Sequence, residues 1–463
     1  MRTVTLLLLL SFLVLPLAAQ DTLPADTRAA IDKAVGEVLA KTGAPSASVA
    51  VVKDGRIAYV HAYGVANLET KMPATTEMRY SIGSISKQFT AAAVLLLAEE
   101  GKLSLDDKVV RWLPELTRAK DVTIRQLLSM TSGYQDFWPQ DYVMPSMLQP
   151  TTADAIAAGW AKKPLDFEPG TKWQYSNTNY VIAGMIVERV AGMPLLQFLQ
   201  QRLFAPLQMT SVTNSDDAAL GPTDPARYLR YALGPLRGAP KEGRGWMFAA
   251  GELAMTARDL AKWDVAMIDQ SAMSPTSYHA METEVPLTSG VGSHYGLGVN
   301  VATVDGRRQI AHGGEVSGFT ARNEVYPDER VAVAVLTNLD ATSASEQIAG
   351  RITPLLFATT DPATQAALDQ ARAIFAGLQK GKIDRTLFTS NANAYFSDQA
   401  VADFASSLGP LGTPSEFTQT RQSLRGGMTL RSYRLKFPQK TLRLWTFTMP
   451  DGKLEQLQVA AME

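Results

Sequence analysis

Two strand-rich stretches at opposite ends of a long helical run set the strongest limit on how this chain can fold. The first comprises SASVAVVKDG and RIAYVHAYGVAN, residues 46–67, split by Asp54-Gly55, a pair that favours a two-residue hairpin. The second covers residues 295–340. There YGLGVNVATVDG, RRQIAHGGEVSGFTARNEVYPD and RVAVAVLTNLD read as an antiparallel meander with turns at Asp305-Gly306 and Pro327-Asp328. Between them the apolar spacing is helical, as in VTIRQLLSMTSG (122–133) and TNYVIAGMIVERVAG (178–192). One antiparallel sheet built from both ends, with a helical insertion between, satisfies that order. Ile31, Val35, Val38 and Leu39 mark a helix over 26–42, and another at about 342–357 closes the unit.

With 463 residues the chain has room for more than this unit. The stretch ATTDPAT, residues 358–364, is small and polar with one proline and reads as a linker. Residues 365–463 then show helices near 365–380, 384–395 and 398–407, followed by β-runs at 415–423, 428–437, 440–449 and 453–460. This is a small α+β domain, and its helices-then-meander order resembles a nuclear-transport-factor-2-like cone. At the other end, MRTVTLLLLLSFLVLPLAAQD puts Arg2 ahead of the apolar run Val4–Ala19, with Pro16 and the small pair Ala18-Ala19 before polar sequence. That is the layout of a cleavable secretory signal over residues 1–20. The run falls short of the roughly 20 apolar residues a spanning helix needs. The expectation is a secreted or periplasmic protein without a stable membrane anchor, its first domain covering residues 21–357.

Composition narrows the chemistry. Hydrophobic residues make up 46% and charged residues 19%, enough apolar surface for a large core. A net charge of −1 offers no basic excess for nucleic acid or an anionic membrane. The absence of cysteine excludes disulfides and a cysteine nucleophile. His61, His279, His294 and His312 are widely spaced, without a zinc-binding pattern, so the sequence points to no metal.

Three short patterns carry possible chemistry. In SIGSISKQFT, Ser84 and Lys87 are three apart and share one face of a helix. A serine hydroxyl needs a nearby base to become a nucleophile, and a buried lysine can be neutral and serve as that base. Ser84 can equally be a helix N-cap and nothing more. In Tyr175-Ser176-Asn177, the phenol can relay a proton and the amide can bond a substrate; the alternative is a packed tyrosine with Asn177 capping the next helix. In His312-Gly313-Gly314, two glycines let a substrate backbone approach and the strand edge can supply an oxyanion N–H. The alternative is a histidine in a glycine-rich bend.

Taken together and in this order, S-x-x-K, Y-x-N and H-x-G resemble the serine β-lactamase and penicillin-binding-protein superfamily. The likeness is strongest to its class C β-lactamase-like branch, which also holds D-alanyl-D-alanine carboxypeptidases, D-aminopeptidases and carboxylesterases. It runs from about residue 26 to 355, through MRYSIGSISKQFTAAAVLLLAEEGKLSLDD, VTIRQLLSMTSG, FEPGTKWQYSNTNYVIAGMIVERVAG, AAGELAMTARDLAKW and HGGEVSGF. The resemblance implies an α/β sandwich, an antiparallel sheet with flanking helices, plus an all-helical subdomain, with the site between them. It implies Ser84 as the acylated nucleophile, Lys87 and Tyr175 as the proton-transfer pair, and Asn177 as a substrate-amide contact. His312 stands where the family has the first residue of K-T-G, followed by Gly313 and Gly314, and the backbone N–H groups of Ser84 and Glu315 would form the oxyanion hole. No cofactor is implied; the partner is a small-molecule or short-peptide substrate.

The departure from K-T-G bears on the substrate. His312-Gly313 lacks both the permanent charge and the hydroxyl that bind a free carboxylate, and His312 is expected to be neutral near pH 7. That favours small esters or D-amino-acid peptide amides over β-lactams. A true carboxypeptidase or β-lactamase is the rival enzyme, and an inactive binding or sensor protein on the same scaffold is the rival of another kind. With less positive charge beside Tyr175, neutral Lys87 is the favoured base. Lys41-Thr42-Gly43 spells K-T-G upstream of Ser84, but reads as a helix end capped by glycine. The chain contains no G-x-S-x-G elbow.

Overall fold

The computed structural model describes residues 22–140, 142–357 and 362–462. The expected secretory leader and residues 358–361 of the expected linker lie outside the described residues. The chain divides into two compact units, one ending at Leu356 and the other beginning at Phe357.

The main sheet of the first unit is built from β1 (Ser46–Lys53), β2 (Arg56–Asn67), β3 (Met72–Pro73), β4 (Asn300–Val304), β5 (Arg307–Val316), β6 (Phe319–Tyr326) and β7 (Val331–Thr337). They form one sheet in the order β3-β2-β1-β7-β6-β5-β4, antiparallel throughout. The two ends of the chain meet at the β1–β7 pairing, in register from Ala47↔Thr337 to Val52↔Ala332. The meander opens at Asn300, later than the apolar pattern beginning at 295 predicts.

The unit's longer helices are α1 (Ala25–Thr42), α2 (Ser86–Glu99), α3 (Asn177–Ala191), α4 (Ala257–Asp269) and α5 (Ala344–Phe357). Central strands are buried on both faces, which is why they read as nearly continuous Val/Ala runs. Alternation sends Ala50, Val52, Ala332 and Ala334 into the main cluster with Phe89, Val94 and Trp263, while Val49, Val51, Val333 and Val335 are equally buried on the other face. Helix α2 is buried from Ser86 to Leu97, so it is a core helix rather than an amphipathic one. Phe89 on α2 packs against Phe204 and Trp263, with ring centroids 5.4 and 5.1 Å apart. Truncating such a residue to alanine costs about 3–5 kcal/mol.

Two expectations need correction. The helix expected over 122–133 is only Ile124–Leu128, opened by a Thr123/Gln126 capping box. It stops because Met130 turns left-handed (φ 62°), and residues 130–131 then pair with the approach to α3, through Gln174 N–H to Met130 O and Gly170 N–H to Thr131 O. The linker expected to reach 364 ends earlier, because helix α6 (Pro362–Leu378) starts at its proline. Proline suits a first helical position, where its missing N–H has no intrahelical partner to lose. Lys41-Thr42-Gly43 closes α1, and Gly43 donates its N–H to Leu39 O.

The second unit packs α6, α7 (Ser390–Tyr395) and α8 (Asp398–Leu408) against a sheet of β8 (Glu416–Arg425), β9 (Met428–Lys436), β10 (Thr441–Thr448) and β11 (Leu454–Ala461). The strands follow one another in a simple antiparallel meander, and Phe375, Leu378, Phe396, Leu435 and Leu444 lie in its core.

Candidate active site

The short strand Tyr80–Ser81 leads into a 3-10 turn, Gly83–Ile85, and α2 begins at Ser86. Ser84 caps neither, since the starts of both the turn and the helix lack a side-chain cap bond. Its Oγ instead meets Lys87 Nζ at 2.8 Å. The turn is wedged against β5. A Cβ on Gly314 would stand 1.9 Å from Ile82 O, and one on Gly83 would stand 2.6 Å from Glu315 N. The second motif glycine therefore admits the protein's own nucleophile turn, not a substrate backbone as the sequence suggested. Gly313 is different: a Cβ there meets only Ala321 O, at 3.9 Å. The close fit brings the backbone of Glu315 beside the Ser84 turn.

Lys87 is fully buried, and burial pulls its ammonium down to about 7 despite the opposing pull of the Asp136 carboxylate. Nζ also lies 2.8 Å from Asn177 Oδ1 and 2.8 Å from Ala250 O. Both oxygens can only accept. A neutral amine has two N–H groups for them and one lone pair, which is left facing Ser84. The contacts suit a base poised to take the serine proton.

Tyr175 sits across Lys87, its ring centroid 5.0 Å from Nζ. Burial and the Asp136 carboxylate push the phenol above its usual value, against the hydrogen bond with Ser84, so it stays protonated near neutrality. Asn177 is the first residue of α3. Its backbone N–H donates to Asp136 Oδ1 (2.9 Å) and its Nδ2 to Asp136 Oδ2 (3.3 Å). With Oδ1 on Lys87, Asn177 retains one amide hydrogen for a substrate, a smaller share than expected. Asp136 also accepts the Trp138 N–H at 3.2 Å. Burial raises its carboxyl, opposed by these N–H groups and by Lys87.

His312 is buried, and burial with the nearby Lys87 lowers its imidazole to about 3, so it is neutral. Nδ1 lies 2.5 Å from Gly313 O, which only accepts, so Nδ1 carries the proton. Nε2 then accepts from the Tyr295 hydroxyl at 2.9 Å. The Tyr175 and His312 rings are 6.2 Å apart.

These groups open onto one cavity of about 1010 Å³, lined by Ser84, Tyr175, Asn177, His312 and Gly313–Glu315. Four carboxylates line it, Asp136, Glu315, Asp340 and Glu346, against the single guanidinium of Arg322. That guanidinium is already paired with Glu324 at 2.9 Å. The structure thus brings together all eight residues singled out from the sequence. It adds Asp136, Ala250 and Tyr295, which no motif spacing marks. Asp136 stands in SGYQDFW, just past the apolar run of VTIRQLLSMTSG, where no periodic pattern sets it apart. Among the described residues no cluster of histidine and acidic side chains could hold a metal.

The chain is similar to several known proteins. A D-aminopeptidase of Brucella anthropi is 31% identical over 310 residues, covering 65% of this chain and 57% of that protein. The chain thus spans little more than half the length of that relative. The crystal structure of a D-stereospecific amidohydrolase from Streptomyces sp. is 28% identical, with a TM-score of 0.61, over 69% of this chain and 96% of that one. An octameric penicillin-binding protein homologue from Pyrococcus abyssi, 22% identical, shares the fold with a TM-score of 0.63 over 94% of this chain and 96% of its own. A family model described as Beta-lactamase matches residues 31–353, and the chain belongs to the beta-lactamase family.

Proposed function

We propose that this protein is an exported serine hydrolase that cleaves amides of D-amino acids bearing a free amino group, through an acyl-enzyme on Ser84. The reading rests chiefly on the 2.8 Å contact between Ser84 Oγ and a lysine that burial pulls down to about 7, so that the neutral amine is available near pH 7. Lys87 Nζ takes the hydroxyl proton as Oγ bonds to the carbonyl carbon. The N–H groups of Ser84 and Glu315 bond the developing oxyanion. As the C–N bond breaks, the leaving amine receives a proton through the Tyr175 hydroxyl, and the proton on Lys87 replaces it. Water then attacks the ester carbonyl, yields a proton to the same pair, and Ser84 regains its hydrogen.

The charge of the cavity supports an amine-bearing substrate. Asp136 draws its hydrogen bonds from backbone N–H groups and an amide, not from a cation, so a substrate ammonium would be its counter-charge. The excess of carboxylates disfavours the free carboxylate of a β-lactam or a carboxypeptidase substrate. The relatives named D-aminopeptidase and D-stereospecific amidohydrolase support the D configuration. Export rests on the pattern from Arg2 to Ala19.

The test is hydrolysis of D- and L-alanine p-nitroanilides and of nitrocefin, with intact-mass detection of the acyl adduct. The expected result is turnover of the D-anilide alone and an adduct on the native protein but not on Ser84→Ala. A folded protein that neither turns over the D-anilide nor forms an adduct overturns the reading.

A further inference from the structure

The cavity is larger and more apolar than an alanine amide requires. Its volume of about 1010 Å³ lies at the upper end of the range of roughly 300–1,000 Å³ for small-molecule sites. Phe137, Trp138 and Trp246 line it, and these rings are packed against one another or hydrogen-bonded through their N–H groups. Phe137 packs on Trp246 and on Trp160 with centroids 6.1 Å away in each case. The indole N–H of Trp246 donates to Gln149 O at 2.8 Å and that of Trp138 to Tyr142 O at 3.3 Å. With their polar tips engaged elsewhere, these indoles present ring carbon to the cavity.

The mouth adds exposed apolar surface. Leu229 and Tyr231 line the cavity from the hairpin formed by Tyr228–Arg230 and Leu236–Gly238. Tyr231 is 74% exposed, Leu233 at the hairpin turn 98%, and Tyr142, also lining the cavity, 67%. The turn holds Ala232 left-handed (φ 51°), a conformation alanine disfavours. Large apolar side chains left in water beside a cleft mark a surface that gains by being covered.

We propose that Phe137, Trp138, Trp246, Leu229 and Tyr231 form a subsite for a large apolar or aromatic side chain on the acyl portion of the substrate. The assignment to the acyl portion rests on the proposed cleavage of D-amino-acid amides. Asp136, Phe137 and Trp138 line the same cavity, so an ammonium held at Asp136 leaves the side chain of the same amino-acid residue within the space these rings enclose.

The test compares kcat/KM for D-phenylalanine and D-alanine p-nitroanilides, and for p-nitrophenyl 3-phenylpropanoate and p-nitrophenyl acetate. The ester pair needs neither an amine nor a D centre, only Ser84. The expected result is an aromatic preference of about tenfold or more in both pairs, from burial of the phenyl group. Tyr231→Ala and Trp138→Ala should each reduce it several-fold; Tyr231 is exposed, so its variant keeps the fold even if the Trp138 variant does not. A wild-type ratio at or below one in the ester pair, or ratios unchanged in both variants, overturns the subsite. Esters that show the preference while neither D-anilide reacts would sustain the subsite and sink the D-amide reading.

Discussion

Asp136 holds Asn177 at two points, taking its backbone N–H on one carboxylate oxygen and its amide Nδ2 on the other. That grip fixes which end of the amide faces Lys87. With Nδ2 drawn to the carboxylate, Oδ1 is left to accept from Nζ at 2.8 Å. One carboxylate therefore orients a neighbour of the base and also tempers the base's charge: burial lowers Lys87, and the field of Asp136 partly opposes it by favouring the ammonium form.

Asp136→Asn separates those two effects. Losing the negative charge removes the influence that raises Lys87, so the lysine should deprotonate at still lower pH than about 7. The acid limb of kcat/KM for a D-anilide should move to lower pH. The maximal rate should fall by about tenfold, since an asparagine can present an N–H where the amide of Asn177 needs an acceptor, costing alignment. A pH–rate profile measures both. An acid limb left in place would show that Lys87 is not the group titrating there.

For the native protein, activity should rise with pH through about 7, because only neutral Lys87 can take the Ser84 proton. Lys87→Arg, which cannot deprotonate, should lose about 10³-fold or more and lose this limb. The same group links to stability. Its native value near 7 lies below the unfolded lysine value of about 10.4, so between these limits the unfolded chain binds the extra proton. Stability attributable to Lys87 therefore increases from about pH 7 towards pH 10 and is lost as pH falls through 7. Chemical denaturation of the native protein and of Lys87→Met at pH 6 and pH 9 checks the sign: the native protein should gain relative to the variant at the higher pH.

Legibility in the sequence tracks physical locality. Ser84 and Lys87 are readable because helical spacing puts them on one face. The two-ended sheet is readable because β1 and β7 carry continuous buried runs with hairpin signals near them. Asp136 is not readable, since its partner Asn177 is a contact between an irregular segment and a helix start far along the chain. Tyr295 is hidden for a like reason; it meets His312 only because the stretch before β4 folds back over β5. Gly314 is readable as a close approach but not for its object. A missing Cβ says that something comes near, and here that is Ile82 O rather than a ligand.

The Tyr295–His312 bond has a structural cost that can be measured. Tyr295→Phe leaves buried Nε2 of His312 without its donor, which costs about 1–3 kcal/mol. For a unit larger than about 250 residues each kcal/mol lowers Tm by about 2 °C or less. The drop should show at neutral pH, where His312 of the native protein, lowered to about 3, is uncharged. An unchanged Tm would mean that Nε2 finds another donor, and a rise in the pH of the acid limb would reassign part of that limb to His312.

Gly313 and Gly314 are adjacent and chemically identical, yet their alanine variants should behave in opposite ways. At Gly314 a methyl group would stand 1.9 Å from Ile82 O, a backbone atom of the turn that carries Ser84. Backbone cannot rotate aside, so β5 and the turn must separate. That moves the Glu315 N–H away from Ser84 and opens packing around the turn. Gly314→Ala should lose stability by about 1–3 kcal/mol, as overpacking does, and most of its activity. At Gly313 the same methyl meets nothing nearer than 3.9 Å, so Gly313→Ala should keep its Tm and show only a change in KM as the cavity wall gains a methyl group. Calorimetry and steady-state kinetics on the two variants decide the matter. Equal effects at both positions would mean that the turn does not depend on close contact with β5.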